Sequence, residues 1–140
     1  AIAFRENLGE MKNRTDAHKM KNILFLTTTP IVGGNGDTLI AAAMEEAKEH
    51  GAEVHLIHIR EKQIGFCRAC YGCAETGVCV QKDDFMDILR LAHEADAIIA
   101  EAPIYYNCMA AQMLTVINRL CCTFACKTYF YENSADGQSD

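Results

Sequence analysis

Asn22-Ile-Leu-Phe-Leu-Thr-Thr28, followed directly by Thr29-Pro-Ile-Val-Gly-Gly-Asn-Gly-Asp-Thr38, is the stretch of sequence that decides the fold. The first segment is a short apolar run without polar alternation, which is typical of a parallel strand buried on both faces. The second segment is rich in glycine and leads into a helix with apolar residues at helical spacing. With a second strand over residues 54–59, the sequence predicts a βαβ unit spanning residues 22–59.

The rest of the chain continues the alternation of helices and strands. A helix is predicted over residues 83–93, with Asp83 or Asp84 as its cap, and a strand over residues 95–102 that ends at Pro103. A third helix is predicted over residues 109–120, and a short strand over residues 128–131. We therefore expect an α/β fold with a doubly wound parallel sheet, short of a βα unit or two at its C-terminus.

Length and composition indicate one globular domain. The chain has 140 residues, of which 50% are hydrophobic and 23% are charged. We expect residues 20–131 to form the domain, residues 1–19 to be a leader or an added arm, and residues 132–140 to be a flexible polar tail.

Charge and cysteine content narrow the class of protein. The net charge of −6 disfavours nucleic acid as a partner, since phosphate backbones require clustered Lys and Arg, and no run is long enough for a membrane span. Without a secretory leader we expect a cytoplasmic location, where cysteines are metal ligands or thiols. The alternative, a disulfide-stapled secreted scaffold, is usually smaller and has a poorer core.

The most specific chemical signal is the cysteine loop, residues 67–79, which reads Cys-Arg-Ala-Cys-Tyr-Gly-Cys-Ala-Glu-Thr-Gly-Val-Cys. Three cysteines at two-residue intervals with a fourth nearby suit a cubane iron–sulfur cluster, and zinc is the second choice. These thiols could also pack as small hydrophobic side chains without a metal. The predicted metal ligands are Cys67, Cys70, Cys73 and Cys79.

Four further cysteines lie outside this loop, at positions 108, 121, 122 and 126. Packing is the ordinary role of such residues. Cys121, Cys122 and Cys126 could also reach the cysteine loop, and the sequence leaves that question open.

Two other loops follow predicted strands. In the glycine-rich loop, residues 29–38, backbone N–H groups and a helix N-terminus would favour a phosphate, although an ordinary strand-to-helix turn has the same composition. The dinucleotide and P-loop patterns both fail there. The second loop, residues 103–112, places Tyr105 and Tyr106 at the carboxyl end of a strand, where a planar cofactor could stack or where the rings could simply pack.

Three segments together resemble the flavodoxin-like NAD(P)H-dependent FMN reductases, and within them the iron–sulfur flavoproteins. Residues 29–38 resemble the family's phosphate loop of Ser-Pro-Arg followed by Gly-Asn-Thr. The cysteine loop with the following Asp83-Asp84 resembles the compact cysteine motif of the iron–sulfur branch. Residues 102–119, from Ala-Pro-Ile-Tyr to Asn-Arg, resemble the Ser-Pro-x-Tyr loop with its downstream Ala-Gln and Asp-Arg.

The resemblance implies a flavodoxin-like domain that carries FMN, with the phosphate in the first loop and the isoalloxazine against residues 103–108. The implied FMN-binding residues are Thr29, Pro30, Gly33, Gly34, Asn35, Gly36, Thr38, Pro103, Ile104, Tyr105, Tyr106, Asn107 and Cys108. It further implies a 4Fe-4S cluster on the four cysteines and association into a homodimer or homotetramer.

The implied function is an oxidoreductase that passes electrons from NADH or NADPH through FMN, and through the cluster, to an acceptor that the sequence does not identify. No residue is predicted to be catalytic, because electron transfer between these cofactors requires no protein acid, base or nucleophile. Two other functions compete with this one. The chain could be a flavodoxin-like FMN electron carrier without a cluster, or a non-enzymatic module in which zinc staples the cysteine loop.

Overall fold

A computed structural model describes residues 21–74 and 76–126 of the chain. The strands are β1 (Asn22–Thr27), β2 (Glu53–His58), β3 (Ala97–Glu101), β4 (Ile104–Tyr105) and β5 (Cys108–Met109). The helices are α1 (Asn35–Glu49), α2 (Phe85–Glu94) and α3 (Ala111–Cys126), and a 3-10 turn (Ile59–Glu61) follows β2. No helix within these ranges is both long and apolar enough to cross a bilayer.

The main sheet has three parallel strands in the order β2-β1-β3. The central strand β1 pairs with β2 along one edge and with β3 along the other. This register places Thr27 opposite both His58 and Glu101. The carboxyl ends of all three strands therefore meet at one edge of the sheet. The chain leaves each strand at that edge, so the loops that follow β1, β2 and β3 begin close together.

The two faces of β1 are covered by different helices. Leu24 and Leu26 point to one face and pack in a single buried cluster with side chains of α2 and α3. Phe25 points to the other face, in register with Leu56, which lines a groove together with Ile40 of α1. Helices on both faces of a parallel sheet confirm the predicted doubly wound α/β fold.

The strand β3 differs from the buried strand that its sequence predicts. Ile98 and Ile99 are 42% and 39% exposed. Within the described residues β3 pairs only with β1, so one of its edges lacks a neighbouring strand there. The apolar composition of β3 is typical of a strand that is paired on both edges. Among the described residues it is paired on one edge.

A small hairpin replaces the loop predicted after β3. Tyr105 pairs with Cys108 and Ile104 with Met109 in antiparallel register. The two residues of its turn, Tyr106 and Asn107, have φ angles of 48° and 61°. Positive φ at both turn positions matches the twist of a two-residue hairpin. The prediction failed because Tyr-Asn is not the Asn-Gly or Asp-Gly pair that usually announces such a turn.

The remaining predictions fall into three groups. Some are confirmed, some are confirmed with shifted bounds, and some concern residues that the structure does not describe. All three predicted helices are present, but α3 begins two residues later than predicted and continues to Cys126. The expectations for residues 1–19, 128–131 and 132–140 lie outside the described residues. The domain boundaries at 20 and 131 therefore stay predictions.

The central position of β1 predicts a large difference between two leucine truncations. Leu24→Ala should lower the free energy of unfolding by about 2–5 kcal/mol, because Leu24 is fully buried and its loss leaves a cavity. Leu39→Ala on α1 is the control, since Leu39 is 65% exposed. Urea unfolding measures both, and equal losses for the two variants would contradict the described core.

Candidate functional site

The glycine-rich loop and the hairpin lie side by side at the carboxyl edge of the sheet. The Thr28 N–H donates to the Glu101 carbonyl at 3.1 Å, and the Thr28 hydroxyl donates to the same carbonyl at 3.4 Å. These bonds tie the end of β1 to the end of β3, one residue before the glycine-rich loop and two residues before the second loop. The two loops that the sequence singled out for a cofactor are therefore neighbours.

The first turn of α1 is pressed closely against this edge. Gly34 is the N-cap of α1 without a side-chain cap, and Gly33 before it has a φ of 70°. A Cβ on Gly36 would lie 2.8 Å from the Thr29 Cβ and 2.6 Å from the Glu101 Oε1. Glycine is required at position 36 because no side chain fits between α1 and the strand ends. The backbone N–H groups of this first turn are free of helical acceptors, which favours an anion.

Asp37 in that turn is neutralised by Arg60, which follows β2. The Arg60 Nη1 donates to the Asp37 Oδ1 at 3.0 Å and to the Thr29 carbonyl at 3.1 Å, and Nη2 donates to the Asp37 Oδ2 at 3.3 Å. The Arg60 hydrogen bonds and the Gly33 N–H, which donates to Oδ2 at 2.8 Å, hold the pKa of Asp37 below its usual value. The charge of the Asp37 carboxylate, next to the predicted phosphate loop, is therefore balanced by the Arg60 guanidinium.

Glu101 is a second carboxylate at the same edge, and the sequence analysis did not select it. Its Oε2 accepts a hydrogen bond from the buried Thr27 hydroxyl at 2.5 Å, while its Oε1 faces Gly36 as described above. No Lys or Arg within the described residues pairs with Glu101. This negative charge is therefore the feature of the edge that is least favourable to an anion.

The hairpin presents its aromatic residues to solvent. Tyr106 at the tip is fully exposed, and Tyr105 is 53% exposed. The alternative that these two rings pack in the core is wrong. Ile104 and Cys108 are exposed as well, so the hairpin offers an uncovered apolar and aromatic surface beside the glycine-rich loop.

The four predicted metal ligands line one cavity of about 110 Å³. Cys73 is buried, Cys67 and Cys79 are partly exposed, and Cys70 is exposed. The cavity is completed by α3, which contributes Arg119, Cys122 and Thr123. The spacing thus brings the cysteines to one place, but across residues 21–74 and 76–126 no three metal-binding side chains converge on a common point.

The backbone of the cysteine loop is strained at two residues. Ala69 and Tyr71 have φ angles of 50° and 55°. Each non-glycine residue in this left-handed region costs about 1–2 kcal/mol. Turns close the loop locally, with the Ala74 N–H donating to the Tyr71 carbonyl at 2.9 Å and the Gly77 N–H to the Cys73 carbonyl at 2.8 Å. Such strain persists only where surrounding contacts hold the conformation.

Arg119 of α3 holds the segments before and after these two residues. Its side chain is 1% exposed and lies over the Phe85 ring, 4.1 Å from the centroid. The Nη1 donates to the Gly65 carbonyl at 3.0 Å and to the Asp83 Oδ2 at 2.6 Å, and the Nη2 donates to the Cys79 Sγ at 3.2 Å. One guanidinium therefore fixes both ends of the cysteine loop to α3, and one of its bonds ends on a predicted ligand.

The Arg119–Asp83 pair is ionic. Burial alone would raise the pKa of Asp83, but hydrogen bonds from Arg119 and from the Gly65 N–H outweigh it, and the pKa lies below its usual value. Burial alone would lower the pKa of Arg119, and its bonds to Asp83 and Cys79 reverse that direction. Arg119 therefore stays charged inside the protein, beside the thiol of Cys79.

The donor set around the cavity fits a metal–sulfur centre. Arg119 Nε is buried without a hydrogen-bond partner among the described residues. A buried donor without an acceptor is unfavourable, and a bound anionic group would satisfy it. Thiolate sulfurs are the ligands of zinc and of iron–sulfur clusters, and a cation that donates to one of them stabilises the thiolate form.

Sequence reasoning assigned no role to Arg60 or Glu101, gave Asp83 the role of a helix cap, and left open whether Cys122 reaches the cysteine loop. Asp83 was predicted only as a cap, and it does accept from the Phe85 N–H at 3.2 Å, but its other oxygen holds Arg119. The sequence did contain a signal for the buried Arg119–Asp83 pair. Arg119 follows Met113 and Val116 at a spacing of three, which places a charge on the apolar face of α3.

Comparison with known proteins places the chain in a family. The family model described as NADPH-dependent FMN reductase matches residues 21–134. An iron–sulfur flavoprotein of Archaeoglobus fulgidus is 41% identical over 87 residues, which cover 62% of this chain and 40% of the relative. No solved structure matches the chain significantly.

Two other iron–sulfur flavoproteins are similar over a longer stretch. That of Methanosarcina thermophila is 34% identical over 97 residues, covering 69% of this chain and 51% of the relative. That of Methanocaldococcus jannaschii is 31% identical over 97 residues, covering 69% of this chain and 50% of the relative. The chain thus spans about half the length, or less, of the curated relatives that it matches.

The depressed pKa of Asp83 predicts an acid-dependent loss of stability. Ionised Asp83 is favoured in the folded state, so its contribution is complete above the unfolded value of about 3.8 and is lost as pH falls below it. Asp83→Asn should therefore lower the free energy of unfolding at pH 7 by about 1–3 kcal/mol. The same variant should flatten the pH dependence of unfolding below about pH 4.

Asp87→Asn is the matched control, because Asp87 is exposed and lies 3.9 Å from Lys62. Its effect at pH 7 should stay within about 0.5 kcal/mol. Guanidinium unfolding from pH 2 to pH 7 measures all three proteins. Identical pH profiles for the wild type and Asp83→Asn would show that Arg119 does not hold this carboxylate.

Proposed function

Because the chain belongs to the NADPH-dependent FMN reductase family, we propose that it is an FMN-dependent oxidoreductase that also carries an iron–sulfur cluster. Electrons enter from NADH or NADPH and leave to an acceptor that stays unidentified. The observation that carries the proposal is the meeting of the glycine-rich loop and the hairpin at one sheet edge, with the Thr28 to Glu101 bond between them.

This edge offers suitable groups for both parts of FMN, the phosphate and the isoalloxazine. The first turn of α1, where a Cβ at Gly36 would collide with Thr29, offers backbone N–H groups at close range to the phosphate. The neutral Asp37–Arg60 pair leaves that turn without a net charge of its own. The exposed Tyr105 and Tyr106 provide a surface for the isoalloxazine.

The proposed FMN-binding residues follow from these two loops. They are Thr29, Pro30, Gly33, Gly34, Asn35, Gly36, Thr38, Pro103, Ile104, Tyr105, Tyr106, Asn107 and Cys108. Bound FMN supplies two-electron chemistry with a nicotinamide and one-electron chemistry with a metal centre. The protein's own residues bind and orient it, and no residue acts as an acid, a base or a nucleophile.

The proposed cluster ligands are Cys67, Cys70, Cys73 and Cys79. Three observations support a site for a negatively charged metal–sulfur group: the shared cavity, the hydrogen bond from Arg119 to the Cys79 Sγ, and the buried Arg119 Nε, which has no partner among the described residues. A donor to a ligating sulfur also tunes the reduction potential of a cluster. The curated relatives named above are iron–sulfur flavoproteins, which favours a cluster over zinc.

One observation favours a second candidate, an FMN electron carrier without a cluster. Within the described ranges the four thiols line the cavity without converging on one point, which is the arrangement expected of cysteines that bind nothing. A zinc module without flavin lacks any such support, because it leaves the phosphate-type turn at α1 unexplained.

Association of identical chains into a homodimer or homotetramer is part of the proposal. Val32, Phe66 and Ile104 are 79%, 73% and 68% exposed, and large apolar side chains in this state mark surfaces that are covered by a ligand or a partner. A cytoplasmic location is proposed as well, because reduced thiols and a cluster both require a reducing compartment.

Two variants of the FMN site should change affinity in opposite directions. Gly36→Ala inserts a methyl group between α1 and the strand ends, so FMN should bind about tenfold more weakly or worse, since a misplaced α1 loses N–H bonds to the phosphate. Glu101→Gln removes a carboxylate while keeping an acceptor for Thr27, so binding should tighten by about threefold. Fluorescence titration of the apoprotein with FMN measures both.

Each FMN variant has its own control in thermal unfolding without FMN. Equal melting temperatures would assign the change in affinity to the site and not to the fold. Unchanged FMN affinity in both variants would place the phosphate elsewhere.

The metal proposal predicts different outcomes for two exposed cysteines. Protein purified without oxygen should show flavin absorption, a broad shoulder of thiolate-to-iron charge transfer and bound iron. Cys70→Ser should lose most of the iron, because Cys70 is a proposed ligand, while Cys121→Ser on α3 should retain it. Metal analysis and the absorbance spectrum provide the measurement.

Three results decide between the candidates. Flavin without iron in the wild type would establish the electron carrier. Zinc without flavin would establish the zinc module. Full iron content in Cys70→Ser would show that the proposed ligand set is wrong.

A further inference from the structure

Cys122 lies outside the predicted metal-binding motif but inside the same cavity. Its Sγ is 3.7 Å from the Sγ of Cys67, and its carbonyl accepts a bond from the Cys73 Sγ at 3.7 Å. Cys121, the adjacent residue, is exposed and does not line that cavity. Of the cysteines on α3 whose side chains the structure describes, Cys122 is the one that faces the motif.

Arg119 connects the two segments that carry these sulfurs. Arg119 lies three residues before Cys122 on α3 and bonds to the Gly65 carbonyl, two residues before Cys67. The Thr123 hydroxyl, buried next to Cys122, donates to the Arg119 carbonyl at 3.1 Å. The same guanidinium therefore sets the position of both thiols.

We propose that Cys67 and Cys122 are a redox-active dithiol that closes to a disulfide when the cavity holds no metal. A disulfide needs a sulfur separation of about 2.05 Å, so the two thiols must approach from the present 3.7 Å. The partly exposed Cys67 belongs to a loop without regular structure. Closing the remaining distance requires rotation of the two side chains or a shift of that loop.

The oxidant is a low-molecular-weight disulfide, and the exchange balances in two steps. One protein thiolate attacks a sulfur of the external disulfide, forms a mixed disulfide and releases one small thiolate. The second protein thiolate attacks the protein sulfur of the mixed disulfide and releases the other. Two protein thiols are oxidised, two small thiols are formed, and the two protons pass through solvent to the released thiolates.

The disulfide would remove Cys67 from the proposed ligand set. A sulfur in a disulfide is no longer a thiolate and does not ligate a metal. Oxidation therefore withholds the cavity from metal until Cys67 is reduced again. This consequence rests on the proposed metal site, whereas formation of the disulfide does not depend on metal or flavin.

Peptide mapping tests the disulfide on the metal-free 140-residue chain. The protein is equilibrated with a mixture of reduced and oxidised glutathione, alkylated and cut with trypsin. Cleavage at Lys and Arg isolates Cys67 in residues 63–68 and places Cys121, Cys122 and Cys126 in residues 120–127. Mass spectrometry without reduction should detect these two peptides joined.

Matched serine variants assign the bond. Cys121→Ser and Cys126→Ser should retain the joined peptides at the wild-type level, whereas Cys122→Ser should reduce them by about tenfold or more. Circular dichroism verifies that the variants are folded. Joined peptides that persist in Cys122→Ser, or their absence from the folded wild type, would overturn the dithiol.

Cobalt(II) tests whether the disulfide prevents metal binding, because thiolate-to-cobalt absorption reports ligation directly. The reduced apoprotein should bind cobalt. A mixture of reduced and oxidised glutathione that closes the disulfide should abolish binding in the wild type and spare it in Cys122→Ser, where reduced glutathione reverses any mixed disulfide on Cys67. Joined peptides without loss of cobalt binding would retain the dithiol and reject its control over the metal. Absence of cobalt binding even in the reduced protein would reject the metal site, while the peptide map still decides the disulfide.

Discussion

A single buried cation organises the cysteine half of this domain. Arg119 of α3 is buried against the Phe85 ring, and its charge is compensated by the Asp83 carboxylate, the Gly65 carbonyl and the Cys79 Sγ. A buried charge is strongly destabilising unless its partners are in place. The loop therefore cannot take an arbitrary conformation, since the position of Gly65, Asp83 and Cys79 is fixed by the need to satisfy one guanidinium. The strained residues Ala69 and Tyr71 lie between these fixed points.

The other half of the site follows from the sheet. Parallel strands end at one edge, so the glycine-rich loop and the hairpin meet there whatever their own sequences prefer. Their chemistry is then local: glycine at position 36 lets α1 approach, and Arg60 neutralises Asp37. Tertiary structure thus supplies proximity, and individual residues decide whether an anion and an aromatic ring can be accommodated.

The sequence predicted what depends on periodicity and spacing. The apolar run from Asn22 and the glycine-rich loop predicted the βαβ unit, and the three parallel strands confirm it. The cysteine spacing predicted that four thiols share one region, and they line one cavity. Segment order, read as resemblance, predicted the family that the comparisons then identified.

The rest depends on contacts between residues far apart in the chain. Arg119 reaches Gly65 across 54 positions, and Thr27 reaches Glu101 across 74. No local pattern specifies such pairs. Asp83 was predicted as a cap because it does lie in a cap position before α2. Whether Cys122 reaches the cysteine loop stayed open because its partner, Cys67, is remote in sequence. The hairpin was missed because Tyr106 and Asn107 adopt positive φ without glycine.

The central proposal is that the protein passes electrons from a reduced nicotinamide to a bound flavin and on to a metal–sulfur centre. An anaerobic titration of the purified protein with NADPH, followed by absorbance and by electron paramagnetic resonance, tests it most directly. The account predicts that the flavin absorption bleaches and that a signal of a reduced iron–sulfur cluster appears in the same titration. Protein that binds flavin and iron but shows neither change with NADPH or NADH would contradict it.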